Sequence, residues 1–246
     1  QGFRTFLKIQ NAKNPSFYEP FHNGFANRGQ ELINSLSIGP SDLKIKEQNL
    51  SMGLETTVEY FTIPNDSYAA LARTVTIKNT AKSAKKIQIL DGLPQIIPYG
   101  TSNLFLKKLG RTIEAWMDIK NLSRGVPFYK LDVDPTDRPE VLHIKEGNFF
   151  LGFSHTNGKA QIHKPIVDPQ AIFGPVTDFS CPHEFLIQKN FRYPKEQLAK
   201  NKTPCGFLLL DTQLSSNKQI TFHCLIGYMR SLEMLNSSIS RITKPG

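Results

Sequence analysis

Arg73-Thr74-Val75-Thr76-Ile77-Lys78 and, after residues 79–85, Lys86-Ile87-Gln88-Ile89-Leu90 decide the fold class. Each alternates apolar and polar residues with period two, which places one set of side chains on each face of a half-buried strand. With a turn-compatible segment between them, the two read as a β-hairpin. The same texture extends both ways. Further strands are predicted over residues 3–9, 43–48, 55–63, 112–119, 126–131, 148–154, 207–214 and 219–228, most of them rich in β-branched and aromatic residues. Helical periods are confined to residues 102–109, 194–200 and 231–238, and the proline-containing stretch 156–204 reads as long loops. No fixed repeat and no low-complexity linker divides the chain. The expectation is an all-β fold: one large antiparallel two-sheet β-sandwich with a few short helices, residues 1–246 forming a single domain.

Composition removes several function classes. With 246 residues, 39% of them hydrophobic, the chain is long enough to bury roughly 70% of its unfolded surface, so disorder is not expected. Its longest apolar runs, such as Phe207-Leu208-Leu209-Leu210, fall far short of the ~20 residues of a membrane helix, and no membrane partner is expected. No secretion signal opens the chain, and a start at Gln1 reads as a processed or excised polypeptide. Cys181, Cys205 and Cys224 form no disulfide framework; reduced thiols point to a cytoplasmic setting. The net charge of +9 comes from scattered groups, including Lys78, Lys82, Lys85 and Lys86 around one turn, and Lys107, Lys108 and Arg111. A third group is Lys189, Arg192, Lys195, Lys200 and Lys202; a nucleic-acid groove needs such groups on one face among aromatics, and scattered solvated lysines are the ordinary reading, so no nucleic-acid partner is expected.

Candidate chemistry is sparse. Asp132, Asp134 and Asp137 form the densest carboxylate group, open to a calcium or acid/base reading but equally to a polar Pro-Thr-Asp turn. Cys181-Pro182-His183-Glu184 and His223-Cys224 contain zinc-ligand types without zinc-site spacing, and in a strand His223 and Cys224 face opposite sides. No metal and no cofactor is expected. Glu114 to Asn121 holds the only tryptophan beside charged residues. An indole stacks on the C–H face of a sugar while neighbouring polar groups bond its hydroxyls, so Trp116, Asn121 and Arg124 are a candidate sugar platform; the competing reading is a core tryptophan.

Two blocks carry a resemblance. Ile87-Gln88-Ile89-Leu90-Asp91-Gly92-Leu93-Pro94-Gln95-Ile96-Ile97-Pro98-Tyr99-Gly100, and residues 111–130 with Ala115-Trp116-Met117, Asn121-Leu122 and Gly125-Val126-Pro127-Phe128-Tyr129, resemble the N-terminal β-domain of cellobiose-phosphorylase-like glycoside phosphorylases. Within that group (glycoside hydrolase family 94, formerly glycosyltransferase family 36) the branch with 1,2-β-oligoglucan phosphorylases is most similar. The resemblance is clearest over residues 70–155. It implies a galactose-mutarotase-like supersandwich preceding an (α/α)6 barrel that carries the general acid and the phosphate site. Nothing here resembles such a barrel, so no catalytic residue is assigned to this chain. Inorganic phosphate would be a substrate of the full-length protein, which would cleave β-glucosides by inverting phosphorolysis. Expected partners are a β-glucan oligosaccharide, the barrel of the same protein and a second copy in a homodimer. Tyr99 joins Trp116, Asn121 and Arg124 as a carbohydrate-contact candidate. Asp91-Gly92 and Tyr99-Gly100 read as turns that hold a loop projecting from the sheet. The alternatives are a stand-alone carbohydrate-binding module and a mutarotase-like epimerase, the latter needing a catalytic histidine from among His143, His155 and His183.

Overall fold

A computed structural model describes residues 2–10, 14–22, 24, 27, 29–136 and 138–244. Among them the strands are β1 (Arg4–Gln10), β2 (Ser16–Tyr18), β3 (Leu32–Ile38), β4 (Asp42–Asn49), β5 (Leu54–Thr62), β6 (Ala69–Asn79) and β7 (Lys85–Leu93). They continue with β8 (Met117–Lys120), β9 (Phe128–Leu131), β10 (Gly147–Thr156), β11 (Lys159–His163), β12 (Gly206–Leu214) and β13 (Gln219–Met229). Four helices accompany them: α1 (Asn103–Leu109), α2 (Gln170–Phe173), α3 (His183–Ile187) and α4 (Leu232–Ile242). The fold is an all-β sandwich. A small sheet runs β12-β7-β1-β2, and a large one runs β3-β4-β5-β6-β13-β10-β9-β8, with β11 paired to β10.

Side-chain parity explains how the layers adhere. Leu7, Ile9, Ile87, Ile89, Leu208 and Leu210 point from the small sheet into the intersheet core, where they meet Val58, Val75, Ile77 and Phe222 of the large sheet. The alternate residues Phe6, Leu90 and Phe207 point outward and are covered by Phe173 of α2 and Phe185 of α3. The large sheet's outer face, with Phe149, Leu151, Phe153 and Leu225, is covered by Leu232, Leu235 and Ile239 of α4. Ser231 caps α4, its hydroxyl accepting from the Met234 N–H at 3.2 Å. β1, β7, β10 and β12 therefore bury apolar residues on both faces, whereas β3 is almost wholly exposed.

Strand pairing overturns the hairpin reading. β6 pairs with β5 and β13, whereas β7 pairs with β1 and β12 in the other sheet. Period two reports which face a side chain occupies and is silent on the strand's partner. Residues 80–84 form a corner between sheets, pinned by Asn79, whose buried Nδ2 donates to Ser83 O and Leu214 O at 2.8 and 2.9 Å. Asp91-Gly92 likewise lies within β7 rather than in a turn. The expected helix at residues 194–200 does not form. There the Leu198 N–H donates to Asp168 Oδ2 at 3.2 Å, and Gln197 Oε1 accepts from Val167 N at 2.7 Å, so side-chain partners replace a helical ladder.

Facing each other across the core, β6 and β7 carry a buried polar network. Arg73 pairs with Asp91, each at most 2% exposed. Asp91 Oδ1 accepts from Thr5 Oγ1 at 2.6 Å, and Arg73 donates to Thr5 Oγ1 and Tyr60 OH, both at 3.0 Å. Phe3 lies 4.8 Å from the guanidinium carbon. The Asp of the Leu-Asp-Gly-Leu-Pro block is thus an intersheet anchor.

Candidate functional site

The first block ends by changing sheets. Beyond β7, the Ile96 N–H donates to Pro204 O at 2.8 Å, Asn148 Nδ2 donates to Ile97 O at 3.0 Å, and the Tyr99 N–H donates to Tyr129 O at 3.2 Å. Leu131 N–H returns a bond to Tyr99 O at 2.8 Å. Residues 94–100 are therefore stitched along β9 and do not project. The second block also departs from expectation, because a 3-10 turn over Gly110–Trp116 replaces the first part of the predicted strand 112–119. Its Ile113 is fully buried against Met117 and Leu131, with Trp116 half-buried at the side of that cluster.

Four residues were candidates for sugar contact, and the structure separates them. Trp116 precedes β8 and Asn121 follows it, so five residue steps at ~3.3 Å each put them roughly 16 Å apart. Asn121 adopts φ 66° and donates to Val126 O at 2.9 Å and to Asn236 Oδ1 at 3.0 Å, tying the turn to α4. Arg124 is exposed in the 3-10 turn Leu122–Arg124. Tyr99 lies across β9 from β8, its ring 5.3 Å from that of Tyr228; burial, then the neighbouring Tyr228, raises its phenol above the ordinary value.

What the structure does bring together is a different set from the same two blocks. A cleft of about 550 Å3 is lined by Gln95 from the first block, Arg111 and Glu114 from the second, Gln170 and Phe173 of α2, Phe179, Lys202 and Thr203. This volume lies in the range of small-molecule sites. Glu114 is held in place by Thr203, whose N–H and Oγ1 donate to its Oε1 at 3.2 and 2.7 Å. Lys202 donates to Asp168 Oδ1 at 2.9 Å and to Gln170 Oε1 at 3.3 Å. Among the described residues no ion pair engages Arg111, which is exposed at the cleft. The walls combine two rings with amide, carboxylate, hydroxyl and cationic groups that donate and accept. Such a lining suits a hydroxyl-rich ligand. Sequence reading passed over Gln95, Arg111 and Glu114 because nothing in their spacing shows that a 3-10 turn and a sheet-crossing segment meet.

The other candidates resolve into structural roles. Asp134 Oδ1 accepts from Thr136 N–H at 2.9 Å and closes a turn, while Asp137 lies outside the described residues. Asp132 pairs with Lys130 at 3.1 Å; burial pushes its carboxyl up, but Lys130 and Lys120 outweigh this and hold it below the usual range. Among the described residues no group of three or more His, Cys, Asp and Glu side chains is arranged for a metal ion. Cys205 and Cys224 are fully buried, and burial pushes both thiols up; Cys181 is half-buried. His143 is exposed, His155 contacts Thr243 O at the end of α4 at 3.0 Å, and His183 lies 3.3 Å from Glu184 in α3. None of the three faces the intersheet space. No helix among the described residues is long and apolar enough to cross a membrane.

No family model matches the chain, and no curated protein matches it. Among solved structures, the one named "Putative kojibiose phosphorylase from human microbiome" aligns with 98% of this chain at 8% identity, with a TM-score of 0.27. This chain spans 28% of that protein's length.

Proposed function

We propose that this chain is the non-catalytic β-sandwich domain of a glycoside-phosphorylase-like, carbohydrate-active protein of the cellobiose-phosphorylase-like group. In the full-length protein, inverting phosphorolysis of β-glucosides takes place on a neighbouring (α/α)6 barrel that supplies the acid and binds phosphate. The sandwich packs against that barrel in the cytoplasm and contacts a β-glucan oligosaccharide through the cleft. One observation carries this reading: the two blocks that carry the resemblance, separated by residues 101–110, meet at one cleft through Gln95, Arg111 and Glu114, against residues 169–179 and 202–203 from much later in the chain. The mixture of rings and bifunctional polar groups around it is the chemistry that a sugar's apolar faces and hydroxyls require.

The test is a titration of 1,2-β-gluco-oligosaccharides into the chain, followed by calorimetry and by Trp116 fluorescence. Trp116 ends the 3-10 turn that carries Glu114, so occupancy of the cleft is expected to change its emission. Arg111→Ala, at an exposed position, is expected to weaken binding about 10-fold, the effect of losing roughly 1.4 kcal/mol from a charged hydrogen bond. Heat and emission that stay at baseline would remove the oligosaccharide from the proposal.

A further inference from the structure

The large sheet ends on β3, with the sequence Leu32-Ile33-Asn34-Ser35-Leu36-Ser37-Ile38. It holds no charge, no proline and no glycine, although natural edges are usually blunted by lysine, proline or a bulge. The opposite edge, β8, is covered by the 199–201 segment through Ile119 N–H to Ala199 O and Asn201 N–H to Met117 O. Among the described residues no strand pairs with the outer side of β3. Ile33, Leu36 and Ile38 are 52, 60 and 72% exposed.

The direction in which this edge offers its hydrogen bonds follows from the ladder. At its two ends, Leu50 N–H donates to Glu31 O and Gly39 N–H donates to Asp42 O. Partners in an antiparallel ladder alternate between hydrogen-bonded and non-bonded pairs. Residues 33, 35 and 37 therefore aim their backbone groups at β4, and Leu32, Asn34, Leu36 and Ile38 aim theirs outward. These four also carry their side chains on the inner face, because Leu36 lies in register with Ile45, and Ile45 with the core residues Val58 and Val75.

We infer that β3 is a self-association edge, pairing antiparallel with β3 of a second copy about a two-fold axis at Ser35. In this register Leu32 faces the copy's Ile38 and Asn34 its Leu36, all four positions exchanging both backbone bonds. The inner faces of the two sheets become continuous, and the exposed Leu36 and Ile38 of each copy gain apolar neighbours. Charge favours a second copy as the occupant: β3 has no charged residue, and Glu31, at its start, falls opposite the copy's uncharged Gly39. A seven-residue edge is roughly 23 Å long at ~3.3 Å per residue, and buries less than the ~800 Å2 per partner of a standard interface. The pairing is thus a weak, concentration-dependent one. This inference is independent of the sugar reading.

Cysteine cross-linking tests the register on the intact chain with Cys181→Ser as background. Ser35 and its copy form a non-bonded pair with Cα atoms about 4.5 Å apart, inside the range a disulfide spans. Ser35→Cys is expected to give a disulfide dimer under mild oxidation. Ser37→Cys, equally exposed but opposite the copy's Ile33, is not. Sedimentation of the unmodified chain is expected to show reversible dimerisation, abolished by Leu36→Pro. That substitution removes an outward N–H and leaves the bonds to β4, as an edge strand tolerates. A chain that stays monomeric at near-millimolar concentration, or equal cross-linking at both positions, overturns the inference. If Leu36→Pro loses the fold by circular dichroism, Leu36→Lys replaces it with the same expected loss.

Discussion

Replacing Asp91 by Asn tests the intersheet anchor. The substitution keeps the shape of the side chain and the Thr5 contact, but leaves the Arg73 guanidinium, 2% exposed, without its counter-ion. Arginine does not deprotonate in proteins, so the charge stays buried. Removing one partner of a buried ion pair costs about 3–5 kcal/mol. For a chain of 246 residues, at roughly 2–4 °C per kcal/mol, Tm is expected to fall by about 6–20 °C. Urea unfolding followed by circular dichroism gives the same quantity as a drop in midpoint with m unchanged. The paired variant Arg73→Met with Asp91→Leu is expected to recover most of the loss, because no unpaired charge remains. A single Asp91→Asn variant destabilised by less than about 1 kcal/mol would refute the reasoning, since the network would then contribute no more than a surface pair.

Two other outcomes follow from local geometry. Gly92→Ala would place a Cβ 1.9 Å from Gly206 O and 2.7 Å from Phe207 Cα, backbone atoms that cannot rotate away. A loss of at least about 2 kcal/mol in urea unfolding is expected, with the β7–β12 pairing disrupted. Lys8 donates to Phe185 O and Gln188 O beneath α3, and burial lowers its pKa to about 8. Between about 8 and its unfolded value near 10.5, the unfolded chain binds more protons at this site than the folded one. This site's contribution to stability therefore rises with pH across that window. The buried thiols titrate in the opposite sense, so the measurement is the difference in unfolding free energy between wild type and Lys8→Met; a difference that is flat from pH 8 to 10.5 would refute the assignment.

Much of the strand inventory was legible. β1, β4, β5, β6, β7, β12 and β13 lie where the sequence pattern placed them, because each turns apolar residues at alternate positions toward the intersheet core, with buried polar residues such as Glu47, Arg73 and Asp91 interrupting the stripe. β3 was not legible, since an uncovered edge needs no apolar stripe and its Asn and Ser residues dilute the pattern. At the site, Trp116 drew attention by its ring, yet the cleft recruits Gln95, Arg111 and Glu114, which no local pattern marks.

By itself the sequence determined the class of the fold: period two, repeated along the chain, admits an all-β sandwich and little else. Tertiary structure alone decided that β6 and β7 belong to different sheets, that Asp91 meets Arg73 across the core, and that a sheet-crossing segment and a 3-10 turn frame a cleft. The physical reason is one of range. Alternation records the environment on the two sides of a single strand, whereas strand partners and clefts depend on contacts between residues far apart in the chain.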